Sequence, residues 1–413
     1  MRSTRDRGRT LRVVGAGHSW SAIAAPEQSG VSLDRHAGIV AITSAPPSAL
    51  LRGPEKPDLA IDGSSVTAHA GTRLEDLLRE LHAQGRTLAI VGSIAEQSLA
   101  GAIATGTHGS SLQHGNLASL VEQMRIVDGR GDIHDLSGDR LIAARVHLGA
   151  LGIVTQLTLE TVTRFALAEV VESVPVEQVG AQLETIARSA EYVKVWWMPH
   201  SRSAAIFRYH RTDEPNTGSD PVRQRWIDDK ILHAWVFPAL LRLGRIPRLT
   251  RLVGPRIGKG LVTPTRIGES ALMLSTPYPA RHRETEAALP LARAGEAFDR
   301  LVRMIERDRL TVNFIVEARF VPADPAWMSP AHGVDTCQLG AYCYGRGADP
   351  YFAAFWREMR AIGARPHWGK EMDHTLDEIL SLWPRANEFR ALRDELDPER
   401  TFGSAFHTRI LGR

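Results

Sequence analysis

Gly92-Ser93, followed by Ser98-Leu99-Ala100-Gly101-Ala102-Ile103-Ala104-Thr105-Gly106-Thr107-His108-Gly109-Ser110, is a dense alternation of glycine, alanine and hydroxyl residues. Such a run offers backbone N–H groups and Ser/Thr donors to a pyrophosphate and lets a flat ring approach the main chain. A small-residue helix and loop packed tightly on a sheet would have the same composition, so the surrounding text has to decide. Upstream, Val13-Val14-Gly15-Ala16-Gly17-His18-Ser19 reads as a strand entering a tight turn, with two glycines that let backbone amides reach an anion. It is not a dinucleotide fingerprint: the third glycine of GxGxxG would stand at Trp20, and no crossover helix begins there. Taken alone, His18 is a surface-turn histidine.

Further out, the N-terminal part of the chain to about Val162 consists of short β-type runs between Gly-rich turns: LRVVGAGHS, VSLDRHAGIVAI, LAIDGSSVTAHAGT, LAIVGS, MRIVDGRGDIHDL and LGIVTQLTLETV. Turn signals at such spacing predict a sheet-rich unit. Between two of these runs, Leu74, Leu77, Leu78 and Leu81 fall at helical spacing, with Thr72 as cap and Gly85 as stop. After Thr163, longer helical patterns (VEQVGAQLETIARSA, GEAFDRLVRMIERD) alternate with strands (VKVWWMP, ALMLSTPYP, TVNFIVEARFVP, CQLGAYCYG). The fold class is therefore α+β. Residues 212–268 read as a cover over the core, with contact to a membrane surface as the alternative.

Two more motifs could carry chemistry. In Asn313-Phe314-Ile315-Val316-Glu317-Ala318-Arg319-Phe320, alternation puts Glu317 and Arg319 on one face and Phe314, Val316, Ala318 and Phe320 on the other. A solvated ion pair is the plain reading of that carboxylate and guanidinium. Pro366-His367-Trp368-Gly369-Lys370 is an aromatic-basic turn that can present a fixed positive charge to a developing anion.

Composition excludes several classes. The 413 residues are 43% hydrophobic and 23% charged, which is globular and too long for a single small module. Fifty Lys+Arg against 47 Asp+Glu leave a charge of +3, no footprint for nucleic acid. Cys337 and Cys343 cannot staple such a chain; six apart on one strand face, they read as buried thiols in a reducing, cytoplasmic compartment. Five arginines among the first dozen residues resemble a transit peptide, but Asp6 interrupts them and no apolar face develops. The longest apolar stretch, Ile231 to Leu241, is short of the roughly 20 residues that span a bilayer and holds His233 and Pro238.

Together the motifs VVGAGHSWSAIA, AGTRLEDLLRELHAQG, GSIAEQSLAGAIATGTHGS, LGALGIVTQLTL, VEARF, RPHWGK and LDPERTF resemble FAD-dependent oxidoreductases of the vanillyl-alcohol oxidase type. Within these they are similar to the sugar-lactone oxidases (gulonolactone and arabinonolactone oxidases) and alditol oxidase. The resemblance implies a two-domain α+β flavoprotein. Residues 1–165 would form the FAD-binding (PCMH-type) domain of two α+β subdomains, 166–385 a substrate domain with an antiparallel sheet flanked by helices, and 386–413 a segment returning to the FAD domain. It implies FAD carried covalently by His18, and a cofactor site comprising Val14, Gly15, Ala16, Gly17, His18, Ser19, Gly92, Ser93, Ser98, Gly101, Thr105, His108 and Ile153. Glu317, Arg319 and Lys370 would face the substrate.

The implied reaction is oxidation of the C2 hydroxyl of an aldono-1,4-lactone by hydride transfer to flavin N5, with O2 or another acceptor reoxidising the flavin. Arg319 and Lys370 would stabilise negative charge, and Glu317 would orient the substrate or accept a proton. Gly92 would leave open the route of dioxygen to the reduced ring. Two departures stand out. Family members usually carry another strand and helix ahead of the GxGHS turn, so the resemblance implies a displaced start or an incomplete first subdomain. Where alditol oxidase has His and Thr after the Glu/Arg pair, this chain has Gly340 and Tyr342, which favours a lactone over a polyol. A metal-dependent hydrolase using His108/His114 and His367/Asp373/His374 is the alternative from another class, although no HExxH pair occurs.

Overall fold

The computed structural model describes residues 9–43, 63–214, 247–275 and 281–413; Ile231 to Leu241 lie outside them. Strand β1 (Leu11–Val14) pairs in parallel with β2 (Ser29–Ser32). Next come β3 (Ile39–Thr43), β4 (Ser65–His69), the short β5 (Arg86–Thr87), β6 (Val121–Val127), β7 (Ile133–Leu136), β8 (Ile153–Glu160) and β9 (Val162–Thr163). Five of them build one antiparallel sheet in the order β3-β4-β8-β6-β7, while β5 pairs with β9. The expected run VSLDRHAGIVAI is thus two strands separated by a turn at Gly38, whose φ of 112 suits only glycine.

Beyond it are β10 (Ala166–Pro175), β11 (Tyr192–Trp197), β12 (Ser203–Thr212), β13 (Arg266–Glu269), β14 (Arg283–Pro290), β15 (Val316–Val321), β16 (Thr336–Cys343) and β17 (Arg365–Pro366). These form a single eight-stranded sheet in the order β13-β10-β12-β11-β15-β16-β14-β17, antiparallel at every junction. One face packs on helices Val176–Ala187, Ala294–Arg307 and Ala348–Arg360. That core contains Val195, Val316, Ala318, Phe320, Leu339, Ala341 and both cysteines, which are buried free thiols. The two-residue period sends the alternate residues, among them Lys194, Glu284, Glu286, Glu317, Arg319 and Tyr342, to the opposite face.

Three sequence expectations change. Thr72 does not cap its helix: the helix is Leu74–Ala83, and its first amides donate to Gln97 O and Ala95 O, while Thr72 Oγ1 donates to His69 O. LAIVGS follows β5 without forming a strand, although Leu88, Ile90 and Val91 are buried in the core. ALMLS is the short helix Ser270–Leu274, in keeping with the helix propensity of Ala, Leu and Met. The tail forms helices Ala386–Leu396 and Ala405–Leu411. Their Phe389, Leu396, Phe406 and Ile410 join the same core as Leu77, Leu99 and Ile103 of the N-terminal unit.

Candidate active site

β1 ends at Val14, and at the next residue, Gly15, an added Cβ would lie 2.4 Å from Ser98 Oγ, so any side chain there would have to displace that hydroxyl. Gly101 is constrained in the same way, its Cβ position being 2.8 Å from that oxygen. The turn after β1 and the helix Leu99–Ala104 therefore pack closely around the Ser98 side chain. Between them runs a cavity of about 310 Å³, lined by Val14, Gly15, Ala16, Gly17, His18, Ser19, Ser98, Gly101 and Thr105. Its volume falls within the range of small-molecule sites. Ala70, Gly71, Gln97, Gly152, Val154 and the loop His147-Leu148-Gly149 also line it and were not singled out from sequence. Leu148 has φ 56, a strained value for leucine, and its carbonyl is held by His407 Nε2 at 2.9 Å. Arg12 donates to the carbonyls of Ile23, Gly149 and Phe402, tying the cavity's floor to the C-terminal segment.

His18, Ser19, Gln97 and Thr105 also line a second, smaller pocket of about 50 Å³, so the two spaces adjoin. Its other walls include Trp20, Ser93, Thr107, His108, Glu284, Arg319, Tyr342, His367 and Lys370. Of the residues singled out from sequence, Gly92, Ile153 and Glu317 line neither space. Gly92 does not leave an opening: its missing Cβ would lie 2.8 Å from Thr107 Cγ2. Gly92→Ala is accordingly expected to push Thr107 into the pocket and to cost about 1–3 kcal/mol of overpacking, read as a lower thermal midpoint of the FAD-loaded protein.

Charge on the face of the large sheet opposite those helices is paired almost completely, as burial demands. Arg319 Nη2 donates to both oxygens of Glu286 at 3.0 Å, its Nε lies 3.4 Å from Glu317 Oε2, and its Nη1 reaches Ser93 Oγ at 3.3 Å. It is therefore a buried network rather than the exposed pair that alternation alone suggested. Glu317 accepts from Trp196 Nε1 and Tyr342 OH, each at 2.7 Å. His108 Nε2 lies 2.9 Å from Glu286 Oε1, at ion-pair distance but without hydrogen-bond alignment. Burial opposes the Glu286 charge, but Arg319 and then His108 outweigh it and hold the carboxyl well below its usual range. Lys194 lies on the same face, its Nζ 4.5 Å from the Trp196 ring centre, and burial lowers its pKa.

Lys370 Nζ pairs with Glu284 Oε2 at 2.5 Å and sits 4.4 Å from the centre of the Trp20 ring. Its turn is stitched to the first motif: Trp20 N donates to Gly369 O at 2.8 Å and Ser21 Oγ to Trp368 O at 2.7 Å. His367 Nδ1 accepts from Gly369 N at 3.1 Å, and burial lowers the imidazole to about 3, so it is neutral. The histidines weighed as metal ligands are scattered: His114 pairs with Glu191 at 2.8 Å and His374 packs edge-on against Trp356. Among the described residues no group of three His, Cys, Asp or Glu side chains could hold a metal, and no helix is long and apolar enough to cross a membrane.

A backbone-lined cavity thus adjoins a charged pocket, and comparison with known proteins gives the class. The model of an FAD binding domain matches residues 1–137 and that of D-arabinono-1,4-lactone oxidase matches residues 157–410. The chain belongs to this family of FAD-dependent sugar-lactone oxidoreductases. It is 30% identical to L-gulono-1,4-lactone dehydrogenase of Mycobacterium tuberculosis, over 98% of this chain and 91% of the relative. It is 28% identical to L-gulonolactone oxidase of Scyliorhinus torazame (96% and 88% covered) and 30% identical to alditol oxidase of a Streptomyces species (95% and 88%). In fold it is similar to cholesterol oxidase from B. sterolicum, with a TM-score of 0.80 at 16% identity, covering 99% of this chain and 90% of that one.

The larger cavity fits FAD. Its walls at Gly15, Ala16, Gly17, Ala100 and Gly101 present main chain in place of side-chain bulk, and Ser19, Ser98 and Thr105 add hydroxyls. This is a donor set suited to a pyrophosphate and a flat ring.

Proposed function

We propose that this protein oxidises the C2 hydroxyl of an aldono-1,4-lactone, with FAD held by Val14 to Ser19, Ser98, Gly101 and Thr105 and bordered by Ser93 and His108. Gly92 and Ile153 would act from behind the wall, through Ser93 and through Gly152 and Val154. Bound FAD supplies the acceptor for the hydrogen and electron pair that leave the carbinol carbon. The observation that carries this reading is the junction at His18, Ser19, Gln97 and Thr105, common to the cofactor cavity and to the pocket that holds Arg319 and Lys370.

In that pocket Lys370 and Arg319 are N–H donors fixed in place by Glu284 and Glu286, so they can hold a substrate oxygen without reorganising. Because carboxylates neutralise both, they act as oriented donors rather than as free positive charges. Glu317 orients: its two acceptor bonds fix Tyr342 and Trp196. Tyr342 and Trp20 give the pocket an aromatic wall, and Gly340 adds no side chain to it. A compact lactone ring suits that wall better than an extended polyol. Turnover of a panel of lactones and sugar alcohols with a dye acceptor tests this; turnover of alditols alone would move the protein to the sugar-alcohol oxidases. Peroxide formed in air during lactone oxidation distinguishes dioxygen from another acceptor.

His18 is read as the covalent attachment site. It borders both spaces, is half-buried and makes no hydrogen bond to a described residue. Acid precipitation is expected to leave the yellow colour in the pellet, and His18→Ala to release it to the supernatant. A white pellet from the unmutated protein would leave FAD binding intact and remove the covalent bond.

A further inference from the structure

Three carboxylates on the large sheet's face away from its helices stand near Arg319 and Lys370, and only Glu284 among them lines the smaller pocket. Glu317 uses both oxygens on Trp196 and Tyr342, and Glu286 uses both on Arg319. Glu284 differs. Its Oε2 takes Lys370 Nζ at 2.5 Å, while its buried Oε1 accepts no hydrogen bond, although the residue is only 2% exposed. A buried acceptor left without a donor costs on the order of 1–3 kcal/mol, more when charged, and calls for an explanation. Resting on the lactone-oxidising reading above, we propose that Glu284 Oε1 accepts the hydrogen bond of the reacting hydroxyl and takes its proton as the carbonyl forms.

The step balances. The carbinol C–H bond gives its hydrogen and electron pair to the acceptor of the reaction. The O–H bond breaks, its electrons form the second C–O bond, and the proton moves to Oε1, making a neutral carboxylic acid. The groups facing Glu284 are Lys370, His282, whose Nε2 lies 3.8 Å from Oε2, Arg319, whose charge interacts with it across the pocket, Glu286 two residues along the strand, and Tyr342 opposite it in β16. Burial would raise the carboxyl and Glu286 adds to that, but Lys370 and His282 outweigh both and hold it below its ordinary value. Glu284 is thus a carboxylate at neutral pH. A low pKa is no obstacle, because a protonated carbonyl is a far stronger acid than a carboxylic acid.

The test is single-turnover, anaerobic reduction of the FAD-loaded full chain by the alcohol it oxidises. Glu284→Gln is expected to slow reduction roughly 10²–10⁴-fold at neutral pH with FAD content unchanged. Its rate should then climb about tenfold per unit of pH, because hydroxide has to take the proton. Added formate should restore Glu284→Ala in proportion to its concentration. Glu317→Gln should be slower than the unmutated protein yet keep its pH profile, and Glu317→Ala should gain nothing from formate. Reduction of Glu284→Gln at the unmutated rate, or rescue of Glu317→Ala in place of Glu284→Ala, overturns the assignment. Should Glu284→Gln lose FAD, Glu284→Asp decides: a slower rate with the unmutated pH profile supports the proposal, and a hydroxide-dependent rate rejects it. If the protein oxidises a polyol and no lactone, the substrate reading falls while Glu284 is judged on the polyol.

Discussion

Arg319→Met is expected to be the most damaging single change in the pocket, costing about 3–5 kcal/mol of stability as well as most of the activity. Arg319 is 7% exposed and Glu286 and Glu317 are 0% and 1% exposed, so methionine leaves two buried carboxylates facing each other across β14, β16 and β15 without their cation. Both would have to take up protons or draw in water, and Ser93 and the His108 carbonyl would lose a donor. Denaturant unfolding of the FAD-loaded protein measures the loss. Glu286→Gln combined with Arg319→Met should recover part of it, because the glutamine removes the charge that Arg319→Met leaves unpaired in low dielectric. A single Arg319→Met variant as stable as the unmutated protein would mean that the network is not the buried, paired system described above.

Lys370→Met is expected to lower the rate of flavin reduction by roughly 2–4 kcal/mol of barrier, the range for one preorganised donor, with FAD still bound. The lysine lies outside the cofactor cavity's lining, which is why binding and chemistry should separate. The substitution also removes the group that holds the Glu284 carboxyl down. In the unmutated protein the depressed carboxyl contributes stability above its unfolded pKa, and this is lost as pH falls through the folded value. In Lys370→Met the carboxyl is raised instead, so the deficit is largest at neutral pH and shrinks on acidification as Glu284 becomes protonated. Thermal unfolding of the two proteins across that range reads the crossover. Reduction of Lys370→Met at the unmutated rate would remove the lysine from the chemistry.

The glycine-rich turn, the Ser98–Ser110 run, the Glu/Arg strand and the HWGK turn were legible because each is a local pattern whose physics acts within a few residues. At Gly101 the hydroxyl of Ser98, three residues back, crowds the Cβ position, and the alternation of β15 sets which side its charges face. Glu284 and Glu286 were not legible. They lie on a strand more than two dozen residues before Glu317, and what makes them part of the site is the strand order β15-β16-β14 and the register that sets Glu284 opposite Tyr342 and Glu286 opposite Gly340. One sequence carries no sign of that order, and a register slip of one residue would turn both carboxylates into the helical core. Glu317 lies outside the pocket lining for the same reason: alternation sets it on the face of Arg319, while its hydrogen-bond partner Tyr342, on the neighbouring strand, lines the pocket. His147 to Gly149 escaped notice because the left-handed backbone at Leu148 is imposed by tertiary contacts and leaves no glycine to announce it at that residue.

The most direct measurement mixes the purified yellow protein with an aldono-1,4-lactone, L-gulono- or D-arabinono-, under nitrogen and follows the flavin absorbance. The expected result is that the lactone bleaches it within a single turnover, that a dye or air restores the colour, and that Lys370→Met stays yellow over the same interval. A protein that binds FAD but keeps its colour with every lactone offered, and is bleached by another class of alcohol, would contradict the account.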